Sequence, residues 1–394
     1  MNVLVLNAGS SSIKFQVIEM PAAAVRCSGL VERIGQPDAR ITYRTPDAEK
    51  KETRSLATHQ DGMNQVIAYL THEEIGVVRS VADIDAVGHR VVHGGSTYSK
   101  TTRITAEVKE TIKQLIPLAP LHNPHNLEGI ELAERIFPHA RQIAVFDTAF
   151  HQTLPEKAKR YAIPAHFFKE GIQVYGFHGT SHKYVSERAM EYMKSKTSKL
   201  ISIHLGNGCS MTAIQDGKSI DHSLGFAPSN GLVMGSRSGD IDHALIFYLV
   251  ETLGYTMAEV EGMLTKESGM LGMTGFSDLR EVQRGAEKGN RDCQLALELS
   301  AYRIQKYIGA YAAAMNGMDA IIFTAGIGEN SSVLRSLVCK NMDYLGLVLD
   351  PAINEQRSDR IRQIEDTARS KVKILVIPTN EELEIARQVF ALEG

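Results

Sequence analysis

Two apolar runs, Val3 to Leu6 and Ile13 to Ile18, open the chain around a cluster of small residues from Asn7 to Ser12. Short β-rich runs separated by Gly and Ser predict a hairpin whose turn lets the backbone approach a ligand closely. Similar apolar runs predict strands at 3 to 6, 12 to 18, 86 to 92, 142 to 147, 200 to 205, 209 to 215, 319 to 324 and 372 to 377. Amphipathic helical patterns lie between them, and that alternation points to an α/β fold. The clearest helix is 291 to 316. There Cys293, Leu297, Ala301, Ile304, Ile308, Ala312 and Met315 share one face of a 3.6-residue period, which is a core stripe without chemistry of its own. The polar stretch 44 to 62 reads as a solvated loop leading into a helix.

The opening hairpin has an echo. Residues 200 to 217, "LISIHLGNGCSMTAIQDG", again run strand, small-residue turn, strand, and Gly206 stands half a chain length after Gly9. A chain of 394 residues is too long for one ordinary core, so the echo suggests two duplicated domains with one hairpin each, facing a shared cleft.

Composition narrows the partners. Apolar residues at 43% and charged residues at 23% are globular values, and a net charge of −3 offers no basic field to a nucleic acid or an anionic membrane. Small molecules are the expected ligands. Cys27, Cys209, Cys293 and Cys339 are scattered without a C-x-x-C pair, which suits a reducing cytosol. The N-terminus has no basic region ahead of its short apolar run, and no run approaches the ~18 apolar residues of a membrane helix. His178 and His182 have helical spacing, but no H-E-x-x-H accompanies them and zinc is not indicated.

Phosphate-binding signatures of the familiar kinds are absent: no P-loop, no protein-kinase set and no G-x-G-x-x-G after a strand. Turns rich in Gly, Ser and Asn supply an alternative, because backbone N–H groups and short hydroxyls make anion nests. Ser10, Ser12 and Lys14 in the first hairpin, the second hairpin's turn and a third Gly-rich turn that opens a helix, "FTAGIGEN" at 323 to 330, together suggest a nucleotide site.

Nine blocks then carry a resemblance: "NAGSSSIKF", "GHRVVHGG", "PLAPLHNPHNL", "VFDTAFHQTLP", "YGFHGTSHKYV", "HLGNGCS", "MGSRSGDID", "FTAGIGEN" and "TNEELEIA". In this order they resemble the acetokinase family, within the sugar kinase, chaperone and actin superfamily of ATPases. The resemblance implies two duplicated ribonuclease H-like (actin-like) domains with a βββαβαβα core. Residues 1–149 plus 381–394 would form one, and 150–380 the nucleotide-binding other. It implies reversible phosphoryl transfer between ATP and acetate to give ADP and acetyl phosphate, with Mg²⁺ or Mn²⁺, by a cytoplasmic homodimer to which the helix 291 to 316 contributes. A propionate or butyrate kinase on the same scaffold is the alternative; an ATP-driven switch protein is a remoter one, for which paired arginines have no use.

The family's roles carry over residue by residue. Arg90 and Arg237 bind the carboxylate and the transferred phosphoryl group, a role suited to guanidinium forks. Asp147, expected at the carboxyl end of a strand, orients metal and substrate. His178 donates to the phosphoryl oxygens. Asn7 and Glu381 hold the metal; "TNEE" also reads as a capping box from Thr379 to Glu382. His204, Leu205, Gly206, Asn207 and Gly208 face the phosphates, Asp278, Leu279 and Arg280 the adenosine, and Gly326, Ile327, Gly328, Glu329 and Asn330 the nucleotide. The intact "GIGEN" favours ATP over pyrophosphate. Val92, Leu121, Phe177 and Pro228 match the pocket for the acetate methyl group. Cys209, Ser236 and a "TGFSDLR" one residue shorter than usual depart from the family pattern.

Overall fold

A computed structural model describes residues 1–393. The chain divides into two compact units: Met1–Phe150 together with the chain from Asn380 onward, and His151–Thr379.

The first unit carries β1 (Asn2–Ala8), β2 (Ser12–Glu19), β3 (Ala24–Glu32), β4 (Ala39–Arg44), β5 (Glu49–Arg54), β6 (Ala86–Val91), β7 (Thr102–Arg103) and β8 (Arg141–Phe146), in the sheet order 5-4-3-2-1-6-8-7. The second carries β9 (Lys199–Leu205), β10 (Cys209–Gln215), β11 (Lys218–His222), β12 (Ala320–Thr324), β13 (Arg362–Gln363) and β14 (Lys373–Val376), in the order 11-10-9-12-14-13. β1 lies between antiparallel β2 and parallel β6, and β9 lies in the same way between β10 and β12. The five strands β3-β2-β1-β6-β8 therefore repeat as β11-β10-β9-β12-β14. The duplication that a single shared glycine hinted at is written in strand order.

Burial explains why these strands form. Val3, Leu4, Val5 and Leu6 are all buried, so β1 has helices on both faces and reads as a continuous apolar run. Leu4, Leu6 and Val87 pack with Leu132 and Ala133 of the helix Asn123–Ile136. Val3, Val5, Ala86, Ile143 and Val145 pack with Ile385, Ala386 and Val389 of the final helix Glu381–Glu393. Gly88 permits that close approach, since a Cβ there would lie 2.8 Å from a methyl of Ile385.

Two local expectations need correction. The stretch 44 to 62 is not all loop: after β4 ends at Arg44, β5 continues as "EKKETR", almost wholly exposed, before the capping box of Thr58 and Asp61 opens the helix His59–Leu70. A charged edge strand lacks apolar alternation because its role is to blunt the sheet's open side. The final helix is capped by Asn380, whose Oδ1 accepts from Leu383 N at 2.9 Å, instead of by Thr379. Thr379 gives its own N–H to Glu329 at 3.0 Å. The helix Arg291–Met315 forms as expected, with its stripe from Cys293 to Met315 buried.

Candidate active site

In the first unit, the parallel strands β6 and β8 bring two charged residues together at their carboxyl ends. Asp147 follows β8 directly, its N–H bonded to Val91 O at 2.9 Å. Its buried carboxylate accepts from Arg90 Nε at 3.2 Å and from Arg90 Nη2. Glu381, at the start of the final helix, lies 3.6 Å from Arg90 Nε, and Glu382 pairs with Lys14. Burial pushes the Glu381 carboxyl above the usual carboxylate range against the pull of Arg90, with Asp147 and Glu382 adding to the rise. Arg90 is thus held by carboxylates, and Nη1 is the arm that Asp147 does not take.

Two asparagines that sequence reasoning passed over hold this corner. Asn126 Nδ2 donates to Ala8 O at 3.0 Å and its Oδ1 accepts from Val92 N at 3.0 Å, tying the end of β1 to the end of β6. Asn123 does the same for His93, accepting from its N–H at 3.1 Å and donating to its carbonyl at 3.2 Å. The signal was present as two asparagines one helical turn apart in "HNPHN". Gly129 lets their helix touch β1, because a Cβ there would sit 2.7 Å from that of Ala8. The turn after β1 is closed by Gly9 N to Ser12 O at 2.9 Å, and His59 Nε2 bonds Gly9 O at 2.8 Å. Val92 is buried, whereas Leu121 is 56% exposed.

The second unit gathers the other candidates around the β9–β10 hairpin. A Cβ built on Gly208 would lie 3.4 Å from His178 Nε2 and 3.8 Å from Arg237 Nη1, so both cationic or donor groups flank the same point above the turn. His178 sits in the left-handed region with φ 56°, at the cap of the helix Gly179–Met193. Its ring stacks on His204, centroids 4.4 Å apart. Arg237 Nη1 donates to Pro228 O at 2.7 Å, and among the described residues no carboxylate pairs with it. Burial alone makes its charge costly. Phe177, the residue before His178, is buried.

The loop bearing Arg237 is held at both ends. Gly231 N donates to Asp240 Oδ1 at 2.7 Å, Tyr307 Oη donates to Asp240 Oδ2 at 2.8 Å, and Arg303 Nη1 donates to Gly231 O at 2.9 Å. Arg303 and Tyr307 belong to the helix Arg291–Met315. The flank beside its core stripe therefore does position a candidate residue, which apolar periodicity does not reveal. Gly235 N donates to Asn207 O at 3.0 Å, and a Cβ on Gly235 would collide with the Asn207 amide at 2.0 Å.

A pocket of about 750 Å³ adjoins that turn, lined by Gly206, Asn207, Ser277, Asp278, Leu279, Arg280, Gln283, Gly326, Ile327, Asn330, Ser331 and Arg357. Eight of these were sequence candidates; Ser277, Gln283, Ser331 and Arg357 were not. Gln283 Nε2 donates to Ser331 Oγ at 2.6 Å and so joins two walls. Arg280 forks onto Asp278, which holds that carboxyl down at about 2. His204, Leu205 and Gly328 are buried behind the lining, and Glu329 turns away to accept from Thr379 N. The Gly-rich stretch is itself the helix Ala325–Asn330. Its end is gripped by buried Arg335, which donates to Gly328 O at 2.8 Å, Glu329 O at 3.0 Å and Asn354 Oδ1 at 2.7 Å.

Chemically, the first unit presents a carboxylate-rich corner with one bound guanidinium. The second presents an unpaired guanidinium and an imidazole beside a nucleotide-sized pocket. The sequence matches the family described as "Acetokinase family" over residues 2–387. It is 58% identical to an acetate kinase of Flavobacterium johnsoniae over 393 residues, covering 100% of this chain and 99% of that one. A Porphyromonas gingivalis acetate kinase structure superposes with a TM-score of 0.93 at 42% identity, each chain fully covered. A propionate kinase from Francisella tularensis also gives 0.93, at 41% identity and 98% coverage of each.

Proposed function

Because this chain belongs to the acetokinase family, we propose that it transfers a phosphoryl group between ATP and acetate, giving ADP and acetyl phosphate, and that it does so with the side chains gathered above. The observation that carries this reading is the convergence of Arg237 Nη1 and His178 Nε2 over Gly208, with no carboxylate paired with Arg237 among the described residues and the 750 Å³ pocket alongside. A desolvated cation without a carboxylate is built to receive an anion. The adenosine belongs in the pocket, its phosphates directed to the Gly206–Asn207–Gly208 turn.

Acetate needs no base. A carboxylic acid with a pKa near ~4 is already ionised at pH 7, so the nucleophile arrives ready. What the protein supplies is position and charge: two anions must meet, and guanidinium and imidazole donors offset their repulsion where charge develops in transfer. Arg237 and His178 bind the transferring group. Arg90, oriented by its bidentate grip on Asp147, offers Nη1 to the acetate carboxylate, and the family resemblance assigns Val92, Leu121, Phe177 and Pro228 to its methyl group.

The carboxylate-rich corner fits a hard divalent cation. Glu381 is a desolvated carboxyl with too little positive charge nearby, the condition that a bound Mg²⁺ relieves. Asn7, Glu381 and Asp147 would hold the ion and its waters, and Mg²⁺ bound there would neutralise charge on the phosphates. Lys14, paired with Glu382, adds a second positive charge.

The native state we infer is a homodimer in the cytoplasm. The helix Ala244–Glu251 buries only Leu249 and exposes Leu245, Phe247 and Tyr248, with Leu253, Tyr255 and Met257 continuing the patch. So large an apolar surface calls for a partner. Phe247→Asp is expected to yield monomers in light scattering, while an unchanged mass would remove this face from the interface. The buried, unpaired cysteines suit a reducing compartment, and no described helix is long and apolar enough to cross a membrane.

The decisive experiment measures acyl hydroxamate with ATP and acetate, propionate or butyrate. We expect acetate to give the highest kcat/KM. The alternative of a propionate kinase stays open because the propionate kinase structure resembles this one as closely as an acetate kinase does. A propionate kcat/KM tenfold above that of acetate would decide for it; one methylene in such a pocket is worth only ~1–3 kcal/mol.

A further inference from the structure

His178 is the outermost of a cluster of five histidines in the second unit, with His151, His182, His204 and His222. Behind it runs a chain of hydrogen bonds with no carboxylate in it. His178 Nδ1 lies 2.9 Å from Ser210 Oγ, the same oxygen lies 2.7 Å from His182 Nε2, and His182 Nδ1 lies 2.8 Å from Ser202 Oγ. Ser202, Ser210 and His182 are fully buried. The protons in this chain can run in only two directions, because each neutral imidazole has one N–H and each hydroxyl one O–H.

In the first direction, Ser202 donates to His182 Nδ1, His182 Nε2–H donates to Ser210, and Ser210 donates to His178 Nδ1. Every hydroxyl hydrogen then has an acceptor, and His178 carries its proton on Nε2. In the second, His178 Nδ1–H donates to Ser210, Ser210 to His182 Nε2, and His182 Nδ1–H to Ser202. That leaves the Ser202 hydroxyl hydrogen without an acceptor among the described residues. A buried donor left without an acceptor is costly, so the first direction wins.

We propose that Ser210 and His182 are positioning residues that hold His178 as a neutral imidazole with its proton on Nε2, aimed at the phosphoryl site beside Arg237. This deepens the reading of the protein as an acyl kinase and rests on it. Ser210 spends its only hydrogen on His178 Nδ1, and a hydrogen bond that requires the ring's lone pair favours the uncharged ring. To protonate Nδ1 the chain would have to reverse and strand a hydroxyl. The surroundings push the same way: His204 is stacked on the ring, His222 lies close enough to interact with its charge, and Arg237 flanks the same point above the turn. His182 itself is held neutral by burial and by neighbouring histidines. A neutral donor keeps its hydrogen bond to the phosphoryl oxygen across the whole working pH range, whereas an imidazolium would lose a proton near the ordinary value of ~6.5.

The test uses the full chain labelled with ¹⁵N-histidine, the His178 signals being identified by their loss in His178→Gln. In the wild type the His178 Nδ1 resonance is expected at the unprotonated position and Nε2 at the protonated one, unchanged from pH 8 down to pH 6. In Ser210→Ala the ring is expected to titrate near ~6.5. That variant should also lose about tenfold in kcat at pH 8, part of the ~10²–10³ that removal of a whole donor costs, while KM for ATP stays within twofold. Ser210→Thr, which keeps the hydroxyl, should restore the neutral ring wherever it folds. A wild-type His178 protonated on Nδ1, or titrating near its ordinary value, overturns the proposal. The spectra read the ring directly, so failure of the tautomer assignment and absence of acetate-dependent ATP turnover are separate results.

Discussion

The two arginines that sequence alone presents as a pair differ in what holds them, and the difference fixes what each substitution does. Arg237 has no acid to leave behind. Arg237→Ala should therefore lower kcat by at least ~10², in the range of arginines at phosphoryl transition states, with the thermal midpoint little changed; a folded variant with near-normal turnover would remove the role. Arg90 is the counter-charge of buried Asp147. Arg90→Ala strands that carboxylate, and breaking such a pair costs ~3–5 kcal/mol, so activity and stability should fall together. Adding Asp147→Asn should return much of the stability in a denaturant titration and none of the activity. If the double variant is as unstable as the single one, the pairing is not what stabilises the corner.

At the level of elements, helices and loops outside the site set its precision. Arg335 bonds the carbonyls that end the helix Ala325–Asn330, one wall of the nucleotide pocket. Arg335→Leu leaves Gly328 O and the Asn354 acceptors without their donor, while Arg362 still donates to Glu329 O, and should raise KM for ATP at least ~5-fold, with KM for acetate within twofold, since a displaced wall weakens one substrate's contacts alone. Equal changes in both constants would count against it. This network shows where the sequence is legible. The hairpins and the helix Arg291–Met315 follow from short-range pattern, since apolar period and small-residue turns are local signals; the Gly-rich stretch 323 to 330, expected as a turn that opens a helix, is itself the helix Ala325–Asn330. Most of the residues lining the pocket stood in quotable motifs. Arg357, Gln283 and the anchors Arg303 and Tyr307 did not, because a long polar side chain on a helix or loop looks the same whether it faces water or a carbonyl seventy residues away. The edge strand β5 was missed for a related reason: its residues are chosen for solvent and bury nothing.

Across the whole molecule, buried histidines govern the response to acid. Burial pushes His89 and His151 down to about 4 in the folded chain. The unfolded chain takes up a proton on each near ~6.5 and so binds more protons through that window. Stability is thus full above pH 6.5 and falls as pH drops toward 4, by roughly 1.4 kcal/mol per pH unit for each such histidine. Calorimetry should show the midpoint dropping steadily from pH 7 to pH 5; a flat midpoint would mean that these rings are solvated. His182 and His222, also depressed by burial, steepen the slope. The last helix has a different consequence. Three apolar side chains of the β1 layer, Ile385, Ala386 and Val389, come from the far end of the chain. During synthesis the unit that emerges first therefore waits, one side of its sheet bare, until the ribosome has delivered nearly every other residue. The later unit can finish before it, and a messenger cut short by a few dozen codons should leave the amino-terminal half to proteases.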